Sequence, residues 1–122
     1  MAAVLSCGSF VTAQANSLTI INLTSCTFRC GVSWYGEVMA VPGTTTINSI
    51  GQDLESLKME FLDVNGTYRQ LVAGITMPNS SSVGTPAPAC PVPNGFLTVS
   101  WAQASVSANA TMVIFLNQIA AP

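Results

Sequence analysis

The chain has 122 residues, among them three basic, five acidic and no histidine, for a net charge of −2 at neutral pH. Hydrophobic residues make up 49% and charged ones 7%, with a mean hydropathy of +0.50. Three scattered cations, Arg29, Lys58 and Arg69, cannot neutralise a phosphate backbone, so no nucleic-acid partner is expected; without histidine the Ser–His and Cys–His nucleophile systems and HExxH zinc sites are excluded.

The length fits one domain, residues 1–122, able to bury roughly two-thirds of its unfolded surface. No apolar run reaches the ~18 residues of a transmembrane segment. Residues 1–14 come first. Ala13-Gln14-Ala15 has the form of a signal-peptidase site, but no basic region precedes it and Ser6, Cys7, Gly8 and Ser9 break the apolar run. The segment therefore reads as mature structure, an N-terminal arm whose Val4, Leu5, Phe10 and Val11 need a host.

Period-two alternation dominates the rest of the chain. Leu18–Thr24 reads as a largely buried strand. Gly31–Val41 reads as one strand with Val32, Trp34, Val38 and Ala40 on one face and Ser33, Tyr35 and Glu37 on the other, ended by Pro42-Gly43. Thr44–Ile50, rich in β-branched residues, is expected to return antiparallel to it. Gly51–Ser56 has the composition of a single helical turn with Asp53 as N-cap.

Asn65-Gly66 marks a tight two-residue hairpin between Leu57–Val64 and Thr67–Ile75. That turn pairs Asp63 with Tyr68, Leu62 with Arg69 and Phe61 with Gln70, so Leu57, Met59 and Phe61 share a face with Tyr68 and Val72. Lys58, Glu60 and Arg69 then share the solvated face. Asp63–Thr67 is too short for a calcium loop.

Residues 76–95 hold Pro78, Pro86, Pro88, Pro91 and Pro93 and read as a long Pro-rich loop. Phe96–Gln103 alternates, with Leu97, Val99 and Trp101 inward. Ala110–Ile119 is apolar on both faces, Met112, Ile114 and Leu116 on one and Val113, Phe115 and Ile119 on the other. Such a strand needs cover on both sides. The expected fold is all-β: a single-domain antiparallel β-sandwich of immunoglobulin-like or jelly-roll type, with about seven or eight strands.

Cys7, Cys26, Cys30 and Cys90 are an even set without histidine, which favours disulfides over a metal site. An extended chain holds Cys26 and Cys30 about 13 Å apart, beyond the ~7 Å reach of a bridge. Either Thr27–Arg29 turns tightly and the two pair, or one ties down Cys90 and the other meets Cys7; the second arrangement anchors more chain. Disulfides imply an oxidising, extracellular or cell- or virion-surface setting.

No catalytic, cofactor or metal residues emerge. The carboxylate pairs Asp53/Glu55 and Glu60/Asp63 lack a cleft, and an enzyme is not expected. Asn22, Asn65, Asn79 and Asn109 begin Asn-x-Ser/Thr triplets. The low charge, the arm and the doubly apolar last strand point to a structural subunit that self-assembles into an extracellular filament or surface layer. Its partners are copies of itself, joined by strand complementation and hydrophobic packing. The expected interface is Val4, Leu5, Phe10, Val11, Met112, Val113, Ile114, Phe115, Leu116 and Ile119. Two alternatives are a virion surface or decoration protein and a secreted lectin-like module. The second would use the Pro-rich loop together with exposed Tyr or Trp, Trp34, Tyr35, Tyr68 and Trp101 being the candidates for a carbohydrate-stacking platform.

Overall fold

Alternating burial is written into the strands: Leu18 and Ile20, Leu57, Met59 and Phe61, and Leu97, Val99 and Trp101 all turn to one interior while the residues between them turn away. The computed structural model describes residues 16–49, 51–90 and 95–118. Among these are nine strands and no helix: β1 (Ser17–Asn22), β2 (Phe28–Val32), β3 (Gly36–Ala40), β4 (Gly43–Asn48), β5 (Ser56–Leu62), β6 (Tyr68–Gly74), β7 (Asn79–Ser81), β8 (Gly95–Gln103) and β9 (Ala110–Gln118). They form two packed sheets, β4-β1-β9-β8-β7 and β3-β2-β5-β6. The fold is the expected β-sandwich. It departs from antiparallel order at β1 and β9, which pair in parallel from Ala110↔Leu18 to Ile114↔Asn22. The ninth strand is the three-residue β7, inside the Pro-rich segment.

Four local expectations are corrected. Gly31–Val41 is not one strand: Ser33–Tyr35 turns, with Tyr35 N donating to Val32 O at 3.1 Å, and divides it into β2 and β3. β4 does not return along β3. It crosses to the other sheet and pairs with β1, where the register Leu18↔Ile47 sets Ile47 into the core.

Residues 51–55 form no helical turn. The side chain of Asn16 takes both polar groups of Leu54 instead, Oδ1 accepting from Leu54 N and Nδ2 donating to Leu54 O, each at 2.8 Å. That fixes the chain in an irregular path with Leu54 fully buried.

The β5–β6 hairpin has a three-residue loop. Gly66 N donates to Asp63 O at 3.0 Å and Asp63 N to Thr67 O at 2.9 Å, and Gly66, at φ 84°, takes the left-handed position that ends such a loop. The carboxylate of Asp63 selects it: Oδ1 accepts from Asn65 N at 2.8 Å and Thr67 N at 3.0 Å. Pairing therefore slips by one, Leu62↔Tyr68 and Phe61↔Arg69. A one-residue slip exchanges faces. Tyr68 and Val72 turn outward with Lys58 and Glu60, while Arg69 turns to the other side and donates from Nε to Asp63 Oδ2 at 2.6 Å.

Cys26 and Cys90 form a disulfide across 64 residues, with Cα atoms 6.2 Å apart. The bridge, the pairing of Asp63 with Pro88 and the bond from Val64 N to Ala87 O at 2.9 Å fasten the Pro-rich segment to the end of β5. Cys30 is no disulfide partner among the described residues; it lies in the core, and burial pushes its thiol up to about 12, which keeps it protonated and inert. Cys7 lies outside the described residues.

Asn16 also donates to Ala108 O at 2.8 Å. Replacing it by alanine strands the Leu54 N–H, whereas Gln103 Nε2 still reaches the Leu54 and Ala108 carbonyls. Asn16→Ala is expected to lower unfolding free energy by about 1–3 kcal/mol, the cost of one unsatisfied buried donor, read as a lower urea midpoint at unchanged slope.

Candidate assembly surfaces

All eight charged side chains fall outside the five-stranded sheet, whose strands contain no Asp, Glu, Lys or Arg. Arg29, Glu37, Lys58 and Glu60 stand on the outer face of the four-stranded sheet. Arg29 Nε lies 3.2 Å from Glu37 Oε2 and donates to Glu60 Oε1 at 3.1 Å. Asp63 and Arg69 pair at the β5–β6 turn, and Asp53 and Glu55 lie on the segment entering β5.

The β9 residues expected at the interface are divided between the core and the outer face. Met112 and Ile114 are fully buried in the subunit's own core, and Leu116 is partly buried against it. Only Val113 and Phe115 stand on the outer face. They are half-buried beside Ile21 of β1, which pairs with Val113, and Thr98 of β8, which pairs with Phe115. Val4, Leu5, Phe10, Val11 and Ile119 lie outside the described residues.

The exposed apolar surface lies elsewhere. β2 runs from Phe28 to Val32 and β5 antiparallel to it from Ser56 to Leu62, so the sandwich has two poles. At the pole where β5 ends stand Leu23, Met39, Val41, Leu62, Val64, Tyr68 and Val83; at the pole where β5 begins stand Trp34, Tyr35, Met77 and Val106. Among the described residues, Val72 is the one exposed large hydrophobic side chain on a sheet face away from both poles. Alternation could not show this, because these residues occupy turns and strand ends, where no period applies.

The first of these poles is hollow. A cavity of about 540 Å³ opens there between Phe28, Met39, Phe61, Leu62, Tyr68 and the Cys26–Cys90 bridge, with Arg29 and Glu60 on its rim. The second pole carries the β2–β3 turn. Trp34 caps that turn at φ 65° and is 71% exposed.

The aromatic platform expected from sequence is not assembled. Trp34 and Tyr35 stand at one pole and Tyr68 at the other. Trp101 is core, its Nε1 donating to Gln103 Oε1 at 3.0 Å. Asn22 is buried, which removes it as a glycan acceptor in the folded state, while Asn65, Asn79 and Asn109 are exposed.

Sheet edges are the other available surface. β3 and β6 carry Glu37 and Arg69, β7 has three residues, and β4 has six with neither charge nor proline. Edges are ordinarily guarded by such residues. Neither a family model, a curated protein nor a solved structure matches the chain. The functional reading rests on these surfaces.

Two outcomes are expected from the geometry. The Arg69 guanidinium and the amides of Thr67 and Asn65 hold the Asp63 carboxyl below the usual carboxylate range. Its stabilising contribution is therefore complete above the unfolded value of about 4 and is lost as pH falls below it. Asp63→Asn is expected to flatten the acid limb of a stability–pH curve, measured by urea unfolding between pH 2 and 6. Second, a non-glycine residue in the left-handed region costs about 1–3 kcal/mol, so Trp34→Gly is expected to unfold at an equal or higher temperature than the parent chain, by calorimetry.

Proposed function

We propose that the protein is a structural subunit that self-assembles into an extracellular filament or surface layer. The observation that carries this reading is the gathering of exposed apolar side chains at the two poles, among the described residues seven at one end of the sandwich and four at the other. Exposed apolar side chains gathered at one end of a small domain suit a protein-facing surface. Surface at both ends permits a chain of subunits, whereas surface at one end permits only a pair. The Cys26–Cys90 disulfide fits an oxidising environment, and with it an extracellular or surface location.

Strand addition supplies the second contact. Among the described residues β4 is an edge strand with neither charge nor proline, and such an edge can accept an extended segment from a neighbour, with main-chain hydrogen bonds giving affinity. The apolar arm of residues 1–14 is the donor the sequence offers. Asn16, where the described chain enters β1, lies beside Leu54 and Ala108 at the Trp34 pole, which faces the next subunit in a polar stack. A shell-forming decoration protein would use the same contacts and differ in closure. The carbohydrate-binding reading loses its platform, since the exposed aromatics are divided between the poles.

Negative-stain microscopy and size-exclusion chromatography of the full chain at high concentration test the proposal. Filaments or sheets are expected. Thr46→Lys on the β4 edge and removal of residues 1–14 are each expected to abolish them and leave soluble subunits. A monomer that persists at hundreds of micromolar would overturn the reading; assembly unchanged by either alteration would overturn the strand-addition contact.

A further inference from the structure

We propose that the Trp34–Tyr35 turn of one copy seats in the cavity at the opposite pole of the next, making the contact head-to-tail. This rests on the assembly reading above and names its polar contact.

The turn is costly within its own subunit in three separate ways. Tyr35 N bonds to Val32 O, so Trp34 holds the third position of a four-residue turn with φ at 65°, a place suited to glycine or asparagine. Its indole is 71% exposed, so burial returns little. Ser33 Oγ, beside it, is buried with no hydrogen-bond partner among the described residues. Backbone strain that local packing does not explain is characteristic of functional positions. What remains is a use outside the subunit.

The cavity suits the turn in size and lining. Its volume of about 540 Å³ is in the range of sites that bury groups of drug size, roughly 300–1,000 Å³. That accommodates an indole with part of the adjoining phenol ring. Phe28 and Phe61 line it as buried residues, and the disulfide braces one wall, so the site exists before contact. The Arg29 side chain on the rim is 55% exposed and offers a cation to an aromatic face. Tip and cavity stand at opposite ends of β5, seven residues long, or about 20 Å apart at a strand's rise. A single copy cannot fill its own cavity.

Charge selects the head-to-tail arrangement over tip-to-tip. Arg29 and Lys58 balance Glu37 and Glu60 on the outer face of the four-stranded sheet, where Arg29 contacts both carboxylates, and Arg69 balances Asp63 at the β5–β6 turn. The net charge of −2 therefore equals Asp53 and Glu55, both at the Trp34 pole and in no ion pair among the described residues. Tip-to-tip contact brings four carboxylates together. Tip-to-cavity contact brings two toward a pole where Arg29 and Arg69 are already paired with carboxylates, and avoids that repulsion. A contact between two different patches that does not close generates a filament.

The test uses the full chain with Trp34→Ala and, separately, Leu62→Glu in the cavity, both at exposed positions, with folding checked by thermal unfolding. Each is expected to raise the critical concentration for assembly, measured by sedimentation, about tenfold or more, as loss of a buried aromatic anchor does. Mixed, the two variants retain one intact tip and one intact cavity between them, and a two-chain species that neither forms alone is expected by analytical ultracentrifugation. Assembly at the parent concentration in either variant, or no such species on mixing, would overturn the contact while leaving the assembly reading standing. A parent chain that stays monomeric overturns both.

Discussion

Strand β1 depends on two buried asparagines, and the rest of the architecture depends on β1. Asn16 saturates the polar groups of Leu54 and reaches Ala108, joining the start of β1 to the segment entering β5 and to the β8–β9 turn. Asn22 does the same at the other end. Its Nδ2 donates to Cys26 O at 2.6 Å and Ala40 O at 2.9 Å, while its Oδ1 accepts from Thr24 N at 2.9 Å. Buried amides so fully paired specify geometry, because any other placement leaves several groups without partners. Between them, β1 lies with Ile21 beside Val113 on one flank and Thr44 on the other. The parallel β1–β9 pair and the crossing of β4 are both consequences of that placement.

The same placement decides where charge and grease go. Once β4, β1, β9, β8 and β7 make one sheet, every charged residue is left to the other sheet and its connections. The last strand finds its cover within the fold. Met112 and Ile114 enter the core, and Val113 and Phe115 are half-shielded by neighbours. The apolar surplus of a low-charge chain does not vanish; it moves to the turns at both ends. Leu23, Val41 and Val64 each lie just past a strand end, where a polar residue would ordinarily stand.

How much of this was legible in sequence depends on the range of the forces involved. Alternation gave the sandwich, the inward faces of β5 and β8, and the doubly apolar character of β9, because burial of alternate side chains is local in sequence. The link from Cys26 to Cys90 was among the pairings open on distance alone. The hairpin at Asn65-Gly66 was visible, but its register was not. The dipeptide signals a turn, yet the carboxylate of Asp63 two residues earlier sets the loop length, and one residue of slip moved Tyr68 to the surface and Arg69 toward Asp63. Trp34 misled for a related reason. In Val32-Ser33-Trp34-Tyr35 the pattern of a strand and that of a turn coincide, and the Ser33 N–H bonded to Ser56 O at 3.2 Å, far along the chain, accompanies the turn.

The two candidate contacts differ in what they ask of the chain. Strand addition along β4 relies on backbone groups and tolerates many side chains, so it supplies affinity with little selectivity. A tryptophan in a preformed cavity is selective but small: an aromatic side chain buries about 150–250 Å², well under the roughly 800 Å² per partner of a stable interface. Neither suffices alone by these measures. Together they divide the work, the edge providing area and the pole fixing direction. A subunit with one unguarded edge and no polar match would add neighbours in either orientation and give disordered aggregates. The excess negative charge at one pole and its absence at the cavity of the other give each copy a head and a tail, and a low-charge chain that lacks repulsion as a safeguard needs such a rule to grow in one direction.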